Sequence, residues 1–159
     1  MAQPMAHTEE VATPQDQKHT KVNIRNNSKH ELSLASRKVW EGDQDTPFPG
    51  KILDGDVSEF THSAGLEELK EGSVAGLAYK ILDDGETWVV TWSNPRGQDS
   101  QVYNDIVDGG IDWDQIKKEL DNRGGPSHEV VRFGYRARIV VDSIKALSPT
   151  VTAYVEPWP

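Results

Sequence analysis

The run TWVVTWSNPRG, Thr87 to Gly97, sets two tryptophans four positions apart in a β-branched stretch that stops at Ser-Asn-Pro. In a strand, residues two apart share a face, so Trp88, Val90 and Trp92 point together while Val89 points away. The chemistry open to such a stretch is recognition: a rigid aromatic surface that contacts a ligand ring or an amphipathic headgroup. Trp88 reads as core. For Trp92 two readings stand, core packing and half-exposure beside the Ser93-Asn94-Pro95 loop. The second makes Trp92, Asn94 and Pro95 a candidate binding rim. Trp40 enters an Asp-rich loop after Arg37-Lys38-Val39, either as a rim aromatic or as a plug at a strand end. Tyr103, in SQVYNDI, is either a hydroxyl facing a headgroup or sugar, or a buried, hydrogen-bonded ring.

Arg132, Arg136 and Arg138 have the same strand parity and form an outward basic stripe on a chain of formal charge −9. Guanidinium groups in a row suit a phosphate headgroup or a sulfated glycan. They equally suit a solvated face paired with neighbouring acids. Asp43-x-Asp45 and Asp54-x-Asp56 resemble fragments of a calcium loop, but neither has the glycine and terminal glutamate that a full coordination shell needs. They read as turn acids, and no metal or other cofactor is expected. The five histidines are scattered and there is no cysteine, hence no thiol nucleophile and no disulfide. The sequence contains no Gly-x-Ser-x-Gly elbow, His-Glu-x-x-His, phosphate loop or dinucleotide fingerprint, so an enzyme is not expected.

These residues need a scaffold, and the patterning describes one. Residues 1–19, rich in Pro, Gln, Thr and acids without periodicity, read as a disordered tail before a domain over 20–159. KVNIRN and ELSLASRKVW alternate apolar and polar residues around Asn26-Asn27-Ser28, which predicts an opening hairpin or near-hairpin. GDQDTPFPGKILDGD reads as a loop with a short strand near Lys51 to Leu53. SVAGLAYKIL is apolar on both faces. With TWVVTWS returning after Asp83-Asp84-Gly85, it predicts a central hairpin from Ser73 to Ser93.

DWDQIKKELDNRGG predicts one short helix over about 112–123, with Asp112 as N-cap and Trp113, Ile116 and Leu120 on its buried face. Trp113 reads as the helix's core anchor. FGYRARIVV alternates with Phe133, Tyr135, Ala137, Ile139 and Val141 inward, and TVTAYVE returns beside it. Trp158, between two prolines, reads as disordered or as cover for an edge strand. Together these elements predict a mainly β, single-domain antiparallel β-sandwich.

The negative charge disfavours nucleic acid and anionic bilayers, while neutral or zwitterionic surfaces fit. No apolar run reaches the roughly 20 residues of a membrane-spanning helix. The opening residues lack the pattern of a signal or transit peptide, so the cytoplasm is the expected compartment.

WVVTWSNP, followed by QVYNDIVDGG, IDWDQIKKEL and the pair FGYRARIVVDS and SPTVTAYVE, resembles the plant jasmonate-induced proteins of the 23 kDa type. The opening VNIRNNSKHELSLASRKVWEGDQDTPFPG fits the same pattern, and the resemblance spans roughly Lys21 to Val155. Its layout is similar to the aegerolysins and, more distantly, to actinoporin-like sandwiches, which recognise membrane lipids and in some cases support pore formation. The resemblance implies a stress or defence role in a plant without supplying a molecular activity; the aegerolysin-like layout points to a lipid-headgroup partner, beside which a carbohydrate-binding, lectin-like module is the alternative reading of the chain. It leaves the oligomeric state open. One departure stands out: such lipid binders expose several aromatics at one end, and here only Trp40, Trp92 and Tyr103 are candidates.

Overall fold

In a computed structural model that describes residues 17–65 and 72–159, the chain forms two five-stranded sheets and one helix. Sheet A holds β4 (Val57–Ser63), β1 (His19–Asn26), β10 (Thr150–Pro157), β9 (Tyr135–Val141) and β8 (Ser127–Arg132), in that order. Sheet B runs β3 (Lys51–Ile52), β2 (Leu32–Glu41), β5 (Ser73–Ile81), β6 (Glu86–Asn94) and β7 (Gln101–Asp108). The expected β-sandwich is present, antiparallel throughout except where β1 and β10 pair in parallel.

Sheet A obeys strand periodicity. Val22 and Ile24 of β1, Ala137 and Ile139 of β9, and Val151, Ala153 and Val155 of β10 point into the core, and the residues between them meet solvent. They pack against Leu77, Tyr79 and Ile81 of β5 and Trp88, Val90 and Trp92 of β6. Sheet B is covered on its second face too. There α1 (Trp113–Arg123) lays Ile116 and Leu120 over Ala78, Val89, Val74 and Tyr103. Two-sided burial is why SVAGLAYKI stays apolar or small until Lys80. The helix begins where Asp112 Oδ1 accepts from the amides of Asp114 (3.1 Å) and Gln115 (3.2 Å). Trp113 is half-buried rather than a sealed core anchor. Its ring lies on Gly76, where a Cβ would come within 2.7 Å of Cζ3, and its Nε1 donates to Ser36 Oγ at 2.9 Å.

Three expectations are corrected. β1 and β2 do not pair; the Asn26–His30 loop carries the chain from sheet A to sheet B. The Asn26 amide holds that crossing by donating to His30 O (2.7 Å) and Ile52 O (2.9 Å), while its Oδ1 accepts from Ser28. Alternation reveals which residues face the core but not from which side, because strands of both sheets turn their apolar rows toward the same layer.

The second correction concerns FGYRARIVV. Phe133 (φ 53°) and Gly134 (φ 82°) form a two-residue turn between β8 and β9, with Arg132 opposite Tyr135. Both central residues lie in the left-handed region, as a type I′ hairpin requires. Phe133 therefore leaves the core row and projects outward, 44 % exposed.

The third is the tail boundary. The expectation for residues 1–16 lies outside the described residues. The segment 17–19, however, belongs to the domain: Lys18 O accepts from Ala64 N at 2.9 Å and His19 begins β1. The central hairpin, the helix span and the β9–β10 pairing stand as expected.

Candidate functional site

The two ends of the sandwich differ. At one end lie the start of β1 and the finish of β6, and there Trp92 and Asn94 are each only 1 % exposed. The half-exposed rim expected of them is therefore corrected. The indole Nε1 of Trp92 donates to Ser73 Oγ (3.2 Å), which also accepts from Thr20 Oγ1 (2.8 Å). Ser73 in turn donates to His62 Nδ1 at 2.7 Å. His62 Nε2 faces Asp43 O at 3.1 Å, so this nitrogen carries the proton and the ring is the neutral Nε2–H tautomer. Burial keeps His62 below the ordinary imidazole range. Asn94 Nδ2 donates to His19 O and Thr20 Oγ1, both at 3.3 Å, and Asn94 Oδ1 accepts from Ser100 Oγ at 3.1 Å. Phe48, Phe60 and His62 surround the Trp92 ring at 6.1, 5.8 and 5.8 Å. This constellation joins β1 and β4 of sheet A to β5 and β6 of sheet B. A serine hydrogen-bonded to a histidine resembles an activated nucleophile. Ser73 and His62 nevertheless have no exposed surface, and the serine oxygen is already occupied by two donors.

The other candidates on this side are dispersed around α1. Pro95 lines a polar cavity of about 310 Å³ with Glu41, Ser93, Gln98, Gln101, Lys117 and Asp121. Trp40 is half-buried beside it, edge-on to Trp113 at 5.8 Å, with Lys117 Nζ 6.0 Å from its ring. Tyr103, 3 % exposed, is the buried ring of its two readings. It sits 4.4 Å from the His128 ring and lines a separate cleft of about 170 Å³ with Asp105 and Glu119. Burial and then those two carboxylates push its hydroxyl up to about 12. Among the described residues no three His, Asp or Glu side chains gather as a metal site. Asp43 instead caps its own turn through Asp45 N (3.0 Å) and Thr46 Oγ1 (2.9 Å), and Asp54 accepts from Lys29 N (2.9 Å).

The opposite end is open. Among the described residues six large apolar side chains are exposed, and three of them, Val131, Phe133 and Trp158, lie about the β8–β9 turn, while Leu53 and Val57 lie toward the β3 and β4 side. Trp158 N donates to Gly134 O at 2.7 Å, which ties the chain end to the turn carrying Phe133. Each ring has a guanidinium over it, Arg132 at 4.9 Å from Phe133 and Arg136 at 4.8 Å from Trp158.

The arginine stripe is not one stripe. Arg132 lies opposite Tyr135 and so shares the inward face of β9; it reaches Asp105 of β7 at 3.3 Å. Arg136 and Arg138 lie outward, and Arg136 is held by Glu129 (3.1 Å) and Glu156 (3.7 Å). The turn at Phe133-Gly134 reverses the chain, which breaks the parity that put all three on one face. Sequence reading assigned Phe133 to the core and left Trp158 without a function. The available signal was the aromatic-glycine pair between two alternating runs, a hairpin turn in its own right.

No family model matches the chain, and no curated protein sequence matches it. Solved structures do. The crystal structure of the lipid-binding protein Nakanori superimposes with a TM-score of 0.76 at 17% identity, covering 87% of this chain and 70% of that one. The wild-type Xerocomus chrysenteron lectin XCL gives a TM-score of 0.54 at 13% identity, covering 87% of this chain and 99% of the lectin. At these identities the likeness is one of fold, a sandwich shared with a lipid binder and a lectin.

Proposed function

We propose that this chain is a non-enzymatic binding protein that engages a neutral or zwitterionic membrane surface with the Phe133–Trp158 end of its sandwich. The carrying observation is the pair of exposed rings, Phe133 and Trp158, held together at the β8–β9 turn with exposed Val131 beside them, each ring capped by an arginine. Aromatic rings favour the membrane–water interface, where an apolar body and a polar partner are accommodated together. Guanidinium groups over the rings sit at headgroup level. That one fold relative is a lipid-binding protein supports the same reading. Co-sedimentation with phosphatidylcholine vesicles tests it. The wild-type chain is expected to bind, and the double variant Phe133→Ala/Trp158→Ala to stay in solution while remaining folded. Undiminished binding by that variant overturns the assignment.

A second reading, carbohydrate binding, is favoured by the polar cavity at the other end, where Glu41, Gln98, Gln101 and Asp121 converge from different elements. The lectin among the fold relatives supports it. A glycan-array signal lost in Gln101→Ala and kept in Phe133→Ala would select it. The jasmonate-type resemblance supports a cytoplasmic stress or defence role in a plant. Transcript induction by jasmonate and cell fractionation are the checks.

A further inference from the structure

The outward face of sheet A carries three donors in one row. Arg25 of β1 is in register with Tyr154 of β10, and Tyr154 with Arg138 of β9. With strands about 4.8 Å apart, the two arginine Cα atoms stand roughly 10 Å apart with the tyrosine between them, a span that two long side chains close over one small anion. Other arginines here are engaged. Arg37 donates to Thr46 O and Gln44 O, Arg123 pairs with Glu119, Arg132 with Asp105, and Arg136 with Glu129 and Glu156. Among the described residues neither Arg25 nor Arg138 has an ion pair or side-chain hydrogen bond, and the Tyr154 hydroxyl has no hydrogen-bond partner. Glu129, the neighbour of Arg138 across the β8–β9 ladder, is already bound to Arg136. Glu156, two residues from Tyr154 on the same face, is likewise bound to Arg136, and Glu59 lies next to Lys21 in the groove above the row.

Guanidinium has donors and no acceptor, and a phenol hydroxyl supplies one more donor. The matching ligand is an acceptor-only anion, and arginine forks fit phosphate oxygens bidentately. The surroundings say which phosphate. Val57 ends the row on the β4 side, and Trp158, just past the end of β10, lies against Arg136 of the same outward face. We infer that Arg25, Tyr154 and Arg138 form a site for the phosphodiester of a lipid headgroup, an inference that rests on the membrane reading above. Tyr154 is four residues from Trp158, roughly 13 Å along the strand, whereas a headgroup layer is only about 5–8 Å deep. The sandwich must therefore lean on this face, bringing Val57 and the row down beside the two aromatics.

The test compares wild type with Arg25→Gln/Arg138→Gln on vesicles of phosphatidylcholine and on vesicles of galactosyl diacylglycerol, whose headgroup has no phosphate. The double variant should bind phosphatidylcholine vesicles at least tenfold more weakly, one to two charge-assisted hydrogen bonds' worth. Its galactolipid binding should be unchanged, and Lys21→Gln, which removes one positive charge nearby on the same face, should match wild type on both. Full retention on phosphatidylcholine, or equal loss on both vesicles, overturns the site. A titration with glycerophosphocholine, read by NMR at Tyr154 and the arginine Nε–H groups, separates this site from the membrane reading. Shifts at these residues without vesicle binding would keep the anion site and overturn its lipid source. No shift and no loss on vesicles would overturn the site itself.

Discussion

The two ends of this sandwich use the same residue types in opposite ways. At one end Trp92, His62 and Asn94 are folded inward and their polar atoms are satisfied by Ser73, Thr20, Ser100 and backbone carbonyls. At the other, Trp158 and Phe133 are turned out, and their arginine partners are anchored by Asp105, Glu129 and Glu156. A buried indole N–H needs an acceptor, and Ser73 provides it; an exposed ring needs none from the protein and is free to meet a ligand. The lesson is that an aromatic beside a loop is not thereby a rim. What decides is whether another layer of the fold covers it, and here Phe48 and Phe60 cover Trp92.

The largest expected effect is on stability at the closed end. Trp92→Ala should cost about 3–5 kcal/mol, as much as Trp88→Ala, because both rings are fully enclosed. Chemical denaturation measures it, and a cost below about 1 kcal/mol would return Trp92 to the surface. Next, Asn94→Ala should cost about 1–3 kcal/mol by stranding His19 O and the Ser100 hydroxyl, again read from denaturant midpoints.

A smaller effect is set by pH. His62 and His128 are held below their ordinary range chiefly by burial, so the unfolded chain binds more protons than the folded one on the acid side of neutrality. Stability is full above the unfolded histidine value near 6.5 and should decline as pH falls through that value toward the depressed folded ones. Asp43, lowered by the Asp45 amide and the Thr46 hydroxyl, adds loss only near and below its ordinary 3.8. His62→Gln should flatten the midpoint slope between roughly pH 7 and 5; an unchanged slope would remove His62 from the account. The smallest stability effect belongs to the open end. Phe133→Ala should change stability by less than about 0.5 kcal/mol, yet weaken vesicle binding, so that stability and binding separate where at the closed end they cannot.

How far the residues themselves disclosed this is uneven. The central hairpin, the helix with its Asp112 cap and the final hairpin follow from local signals: Asp-Asp-Gly, a 3.6-residue apolar period and strict alternation. The polar cluster left no trace, since His62, Ser73, Thr20 and Asn94 come from four strands. Nothing local marks a histidine as buried. Of the residues proposed for a rim, Pro95 lines one polar cavity, Tyr103 lines another, and Trp40 and Trp92 line neither. Arg136 and Arg138 kept the predicted face; Arg132 lost it to a two-residue turn.

By itself the sequence determined the class of fold, because period-two patterning with turn residues at short intervals admits little else, and it determined that thiol and disulfide chemistry are closed to these residues, because none of them is a cysteine. Tertiary structure alone decided which aromatics are covered and which arginines are paired. Both depend on which strands become neighbours, and the parallel pairing of β1 with β10, from opposite ends of the chain, is a contact that no local pattern encodes. That pairing sets Arg25 beside Tyr154, and with it the row of donors on the outer face.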